Sequence, residues 1–152
     1  MFFIQPSAQD IQRALDSWLW LPLADKAVIR VTAFGDFFLQ NDEGIWFLDT
    51  LEGKISLVCQ SIAQLNELLG TEDGQDHYLF GGFVERAVRE GRLLGQGQCY
   101  DFKVNPVVGG SISYDNIGIR SFVVAVNLAG QLHDKVRHLP EGTIITGFNI
   151  SD

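Results

Sequence analysis

The chain is poor in the residues that staple, kink or anchor a protein. It has two cysteines, four prolines and one methionine in 152 residues, and eleven basic side chains against nineteen acidic ones. Cys59 and Cys99 form no CxxC pair, which excludes a thioredoxin-like redox motif and a cysteine-rich zinc site. No apolar run approaches the roughly 18 residues of a membrane span. The N-terminal Met1-Phe2-Phe3-Ile4-Gln5-Pro6 is apolar but has neither the basic lead nor the length of a secretory signal. These absences predict a cytoplasmic location without membrane attachment. They also favour two buried thiols over a disulfide.

Positive charge is scarce in one half only. Residues 1–81 hold twelve acids and four bases (Arg13, Lys26, Arg30, Lys54), whereas residues 82–152 hold seven of each. The whole net charge of −8 therefore sits in the first half. Such a field repels nucleic acid and anionic membrane and attracts a basic partner, besides keeping the surface solvated. An apolar content of 46% and a charged content of 20% are those of a folded chain, and the length suits one domain, 1–152.

Periodicity predicts an α+β fold, an antiparallel β-meander packed with about four helices. Ser7 to Leu19 reads as a helix capped by Ser7, with Ile11, Ala14, Leu15, Trp18 and Leu19 on one face. From Ala27 to Cys59 the period drops to two. Val28 to Phe34 is β-branched, and runs over 36–40, 45–49 and 55–59 follow, separated by turns ending near Gly44 and Gly53. Such short connections join antiparallel neighbours. The alternation of Ile55, Leu57 and Cys59 with Ser56 and Val58 predicts a sheet covered on one face. Ser61 and Gln64 form a capping box ahead of a second helix closed by Gly70.

Polar residues 71–76 read as a loop, and residues 77–90 as a third helix interrupted near Gly81 and Gly82. Residues 91–118 read as glycine-rich and irregular, with one or two short strands around 98–104. A last helix should end at Pro140. Phe122 to Val126 has strand composition, yet Val126, Ala129, His133 and Val136 keep a helical beat. Residues 143–150 read as a final strand.

Catalytic chemistry finds no motif. His133 and His138 lie five apart, about 140° round a helix, so they cannot share a metal as an i, i+4 pair does. Gly109-Gly110-Ser111-Ile112-Ser113 lacks the closing glycine of a nucleophile elbow. Cys99 is the better thiol candidate because flanking glycines could expose it, but nothing cationic adjoins it in sequence. Gly95-Gln96-Gly97 has two of the three glycines of a dinucleotide loop, without the βαβ context. The reading is of a binding protein, not an enzyme, with no cofactor and no metal.

Several strings occur in an order and spacing that resemble a known family. They are Trp18-Leu19-Trp20, Phe34-Gly35-Asp36-Phe37-Phe38, Gly44-Ile45-Trp46-Phe47-Leu48-Asp49, Gly97-Gln98-Cys99-Tyr100, Phe102-Lys103-Val104-Asn105-Pro106, Gly109-Gly110, Asn116-Ile117, Gly130-Gln131-Leu132-His133 and Leu139-Pro140-Glu141-Gly142-Thr143. Over residues 18–146 the chain resembles the C-terminal domain of type VI secretion DNase-immunity proteins, a bacterial domain often accompanied by a GAD-like domain. At 152 residues the sequence is expected to be a stand-alone form without that second domain, a departure from the pattern. The resemblance implies a bacterial cytoplasmic protein that binds and blocks a toxin nuclease, and it brings no catalytic residues.

Together, charge and resemblance predict a partner-binding face at Asp42, Glu43, Glu72, Asp73 and Asp76, directed at a basic nuclease toxin and without direct nucleic-acid binding. The alternative is a small-molecule-binding or enzymatic domain centred on the glycine-rich segment 95–113. A concave pocket near Tyr100 and Lys103 with perturbed ionisable groups would favour it.

Overall fold

The computed structural model describes residues 1–140; the strand expected over 143–150 lies outside them. Five antiparallel strands form a meander in sequence order: β1 (Phe3–Ile4), β2 (Ala27–Thr32), β3 (Phe37–Asn41), β4 (Gly44–Asp49) and β5 (Lys54–Cys59). A second, two-stranded antiparallel ribbon pairs β6 (Gln98–Phe102) with β7 (Ile117–Ser121). The described residues also hold five α-helices, besides three short 3-10 turns: α1 (Ala8–Leu15), α2 (Ile62–Leu69), α3 (Glu72–Leu79), α4 (Gly81–Arg89) and α5 (Phe122–Val136). The fold is α+β, as the periodicity predicts.

The meander is covered on both faces, which corrects the one-sided expectation. Val31, Phe37, Leu39 and Leu48 pack with Ala14 and Trp18 near α1 and with Phe122 and Val126 of α5. On the opposite face Phe38, Ile45 and Phe47 pack with Leu65 and Leu69 of α2 and Leu79 of α3. Adjacent residues of a strand point to opposite faces, so the run Phe37-Phe38-Leu39 can only be apolar throughout if both faces are buried.

Two bulges also break the simple alternation. Ile45 pairs with Cys59 but Trp46 with Leu57, leaving Val58 as the extra residue. On β2, Ile29 is extra in the same way between Val28 and Arg30. Val58 consequently packs in the same cluster as Cys59, while Leu57 is left exposed.

Local chemistry fixes the helices. Ser7 Oγ accepts from Asp10 N (3.1 Å), and α1 tightens at Asp16–Trp18 into a 3-10 turn, earlier than the expected helix end. That turn buries Trp18 completely and lets its indole N–H donate to Val126 O of α5 (2.9 Å). Ser61 Oγ accepts from Gln64 N (3.2 Å), and Gln64 Oε1 in turn accepts from Gln60 N (2.7 Å).

The expected loop at 71–76 is instead the start of α3. Thr71 Oγ1 caps it by accepting from Gly74 N (3.0 Å), and its polar first turn disguises a helix whose buried anchor, Leu79, comes only at the end. Phe80, in the left-handed region at φ 52°, separates α3 from α4, so the expected interruption falls one residue before Gly81. At the start of α5, Ser121 Oγ accepts from Val124 N (3.4 Å). Phe122, Ala125, Val126, Leu132 and His133 are buried at helical spacing, which overrides the strand composition there. Among the described residues, no helix is long and apolar enough to cross a membrane.

Candidate functional site

Asp42 and Glu43 are exposed in the β3–β4 turn, where Glu43 N donates to Asn41 Oδ1 (3.0 Å). Glu72 and Asp73 are exposed in the first turn of α3, where a carboxylate complements the helix dipole. Asp76 Oδ1 accepts from Gly82 N (2.9 Å) and so supplies the side-chain cap that Phe80 cannot give α4. Among the described residues, no ion pair engages any of these five.

The structure gathers Glu72, Asp73 and Asp76 on one helix and sets Asp42 and Glu43 apart. The β3–β4 turn lies against Cys59 and Gln60, at the start of α2, because a β-carbon at Gly44 would meet Cys59 O at 2.5 Å. The start of α3 lies past the other end of α2. In the chain, α2, eight residues and about 12 Å long, lies between the two places.

The remaining candidates are largely structural. Cys59 and Cys99 are both free and buried. Contrary to the expected exposure, Cys99 is wholly enclosed, and burial with the nearby Asp101 and Asp36 carboxylates pushes its thiol far above the ordinary range. His133 is buried, its Nε2–H donating to Thr50 O (3.0 Å), and burial holds its imidazole below its usual pKa. His138 is exposed beside Asp134 (3.8 Å). Among the described residues, no group of three His, Cys, Asp or Glu side chains is arranged to hold a metal ion.

The glycine-rich segment opens on two concave regions. The outer one, about 480 Å³, lies between β1, the end of α4 and the loop before β6; Phe3, Val88, Leu93, Gly95, Gly97 and Tyr100 contribute to its walls. Tyr100 is nearly buried there, and its hydroxyl donates to Arg92 O (2.6 Å).

The inner region is acidic. It consists of a chamber of about 30 Å³ at Asp36, Thr50, Asp101 and Asn105, walled by the rings of Phe34, Phe80 and Phe102. A cavity of about 130 Å³ adjoins it, sharing Asp101, Phe102, Asn105 and Ala129. Val108, Leu128 and Leu132 line this outer part, with Lys103 and Arg120 also on its wall. Asp36, 3% exposed, is pushed up to about 7 by burial and by the charges of Asp49 and Asp101, against the opposing pull of its Thr50 hydrogen bonds. Burial also raises Asp49 and Asp101, the latter offset by Arg120 at 3.5 Å.

Sequence reading passed over this constellation because its parts lie far apart in the chain. One local signal existed: Asp36 is a charged residue set among Phe34, Phe37 and Phe38, and a lone acid in so apolar a run is buried or functional.

No protein-family model matches the chain, and no curated protein does. Among solved structures, the crystal structure of Atu4351 from Agrobacterium tumefaciens is similar, with a TM-score of 0.51 at 16% sequence identity. The match covers 85% of this chain and 65% of that one, so the chain spans a little under two thirds of that protein's length. At that identity the likeness is one of fold alone.

Proposed function

We propose that this chain is a cytoplasmic binding protein that neutralises a basic nuclease, in the manner of a type VI secretion immunity protein, through its acidic first half. The observation that carries the reading is the set of exposed carboxylates at Asp42, Glu43, Glu72 and Asp73, none held in an ion pair among the described residues. Surface acids normally tolerate neighbouring bases, and here the counter-charges are absent over 36–76 except for Lys54, which pairs with Glu52 (2.8 Å). A partner with a basic nucleic-acid groove would supply them. Two such charge clusters on separate elements suit a broad surface better than a small ligand. The resemblance over 18–146 names the partner class.

The test pairs the purified chain with the nuclease encoded beside its gene. Stable co-elution together with loss of DNA cleavage supports the reading; full cleavage at equimolar protein rejects it for that nuclease.

The outer groove favours a second reading, the binding of a small apolar molecule next to Gly95–Gly97. Its volume of about 480 Å³ lies within the range of ligand sites, roughly 300–1,000 Å³. Native mass spectrometry of the protein from its own cells checks this: a retained mass lost on Gly97→Trp supports it, and the bare chain mass does not.

A further inference from the structure

The inner cleft has features that packing alone does not require. Asp36 Oδ1 takes both hydrogen bonds from Thr50, the backbone N–H at 2.8 Å and the hydroxyl at 2.6 Å. No hydrogen bond among the described residues reaches Asp36 Oδ2. Among the described residues, Tyr114 Oη is the one buried side-chain oxygen or nitrogen without a partner, so Oδ2 is not sealed from solvent, and Asp36 lines the chamber. In a residue 97% buried, one carboxylate oxygen is thus held by Thr50 while the other has no hydrogen-bond partner among the described residues.

The wall above it is aromatic and partly strained. Phe80 takes a left-handed conformation unusual for a bulky residue, and it places its ring 4.8 Å from that of Phe34 and 5.8 Å from that of Phe102. Phenyl faces beside carboxylates are the surroundings a cation seeks.

Size decides which cation. The inner chamber, about 30 Å³, admits a water-sized group, which an ammonium is and a guanidinium is not. The adjoining cavity is apolar along Val108, Leu128 and Leu132, which suits a methylene stem.

We propose that this cleft is a receptor for a primary alkylammonium group, with the ammonium seated at Asp36 and Asp101 among the phenyl rings and its stem in the adjoining cavity. The site is separate from the surface acids and holds whatever the protein partner is. Asp49 and Asp101 add negative charge toward Asp36; Arg120 faces Asp101, and His133 lies behind Thr50 as a neutral donor to its carbonyl. Lys103 is on the outer wall only. Lys54, across the β4–β5 pairing, acts on Asp49, and Arg120 on Asp101, but no cation is paired with the buried Asp36 among the described residues, so a bound ammonium would supply charge the chamber lacks. It would also hold Asp36 ionised, so binding should release a proton near neutral pH.

The test titrates n-butylammonium chloride into isotope-labelled protein at matched ionic strength, following backbone amides by NMR. Saturable shifts at Thr50, Leu51 and Asn105 are expected at pH 8, about tenfold weaker binding at pH 6, and no shift there with n-butanol. Asp36→Asn, which keeps an oxygen for Thr50, should weaken binding at least tenfold, and Asp101→Asn serves if that variant fails to fold. Glu72→Gln should change nothing. Capped lysine binding as tightly as n-butylammonium identifies a protein lysine as the source; exclusion of capped lysine identifies a free amine. Absence of saturable cleft shifts at pH 8, or equal binding by both cleft variants, overturns the proposal.

Discussion

Thr50 joins Asp36 to the fold by giving it both of its donors, the backbone N–H (2.8 Å) and the hydroxyl (2.6 Å), while its carbonyl receives the His133 Nε2–H (3.0 Å). One residue of the β4–β5 connection therefore ties the β2–β3 turn to α5. The two hydrogen bonds favour the ionised carboxyl, but burial and the Asp49 charge act more strongly in the other direction, and Asp36 ends at about 7.

The consequence for stability has a definite sign. The folded chain holds the Asp36 proton up to about pH 7, whereas the unfolded chain releases it near 3.8. Between those values the folded state binds more protons, so stability falls as pH rises from about 4 to 7 and this contribution is flat on either side. Asp36→Asn removes the charge and keeps an oxygen for Thr50. It should stabilise the protein above pH 7 by up to about 4 kcal/mol, at about 1.4 kcal/mol per pH unit separating the two states. Urea denaturation at pH 5 and pH 8 reads both; a variant less stable than the parent at pH 8 refutes the account.

The two faces of β4 should respond unequally. Phe47 is buried against Phe38 (ring centroids 4.9 Å apart) and Tyr78, so Phe47→Ala should cost about 3–5 kcal/mol. Trp46, on the other face, is only partly buried, with its indole N–H on Asn41 Oδ1 (2.8 Å) and Lys26 over its ring. Trp46→Ala should cost about half as much. Equal losses by chemical denaturation would mean that the two faces are not covered as described.

Gly53 presents a different constraint. Its φ of +71° is strained for any other residue, and a β-carbon there would run into the His133 ring. Gly53→Ala should destabilise by at least about 2 kcal/mol, part from the backbone and part from the ring. In a double-mutant cycle, His133→Ala should recover the second part alone, a coupling of about 1 kcal/mol. Strict additivity would show that the ring is not the obstacle.

These residues also show where the sequence could be read and where it could not. The meander was legible because turn residues and period-two runs are local, and the caps at Ser7 and Ser61 were legible for the same reason. Two-sided burial was written in Phe37-Phe38-Leu39, whereas the period of β5 misled because Val58 is a bulge, a property of pairing that neither strand carries alone. The start of α3 looked like a loop because polar residues that cap and solvate a helix are those that fill turns. The inner cleft was out of reach: Asp36, Thr50, Phe80 and Asp101 become neighbours only after the ribbon and α5 close over the meander.

The surface acids give the prediction that bears on the proposed partner. If they form the binding face, association with a basic nuclease should be fast at low salt and slow steeply as ionic strength rises, since exposed charges are screened beyond about 10 Å at 0.1 M. Reversing Asp42 with Glu43, or Glu72 with Asp73, to lysine should lower the on-rate about tenfold or more in stopped-flow mixing. The second pair should also lose some helix stability, because lysine opposes the dipole at the start of α3. The Asp42 and Glu43 pair sits in a turn and has no such penalty, which makes it the cleaner probe of binding. Asp76 is left out of the reversals because its carboxylate caps α4 through Gly82 N, so its loss would mix folding with recognition. Glu85 is exposed on α4, in the charge-balanced half, and its reversal should have a smaller effect. An on-rate that ignores both salt and the Asp42–Glu43 reversal would place recognition elsewhere on the molecule.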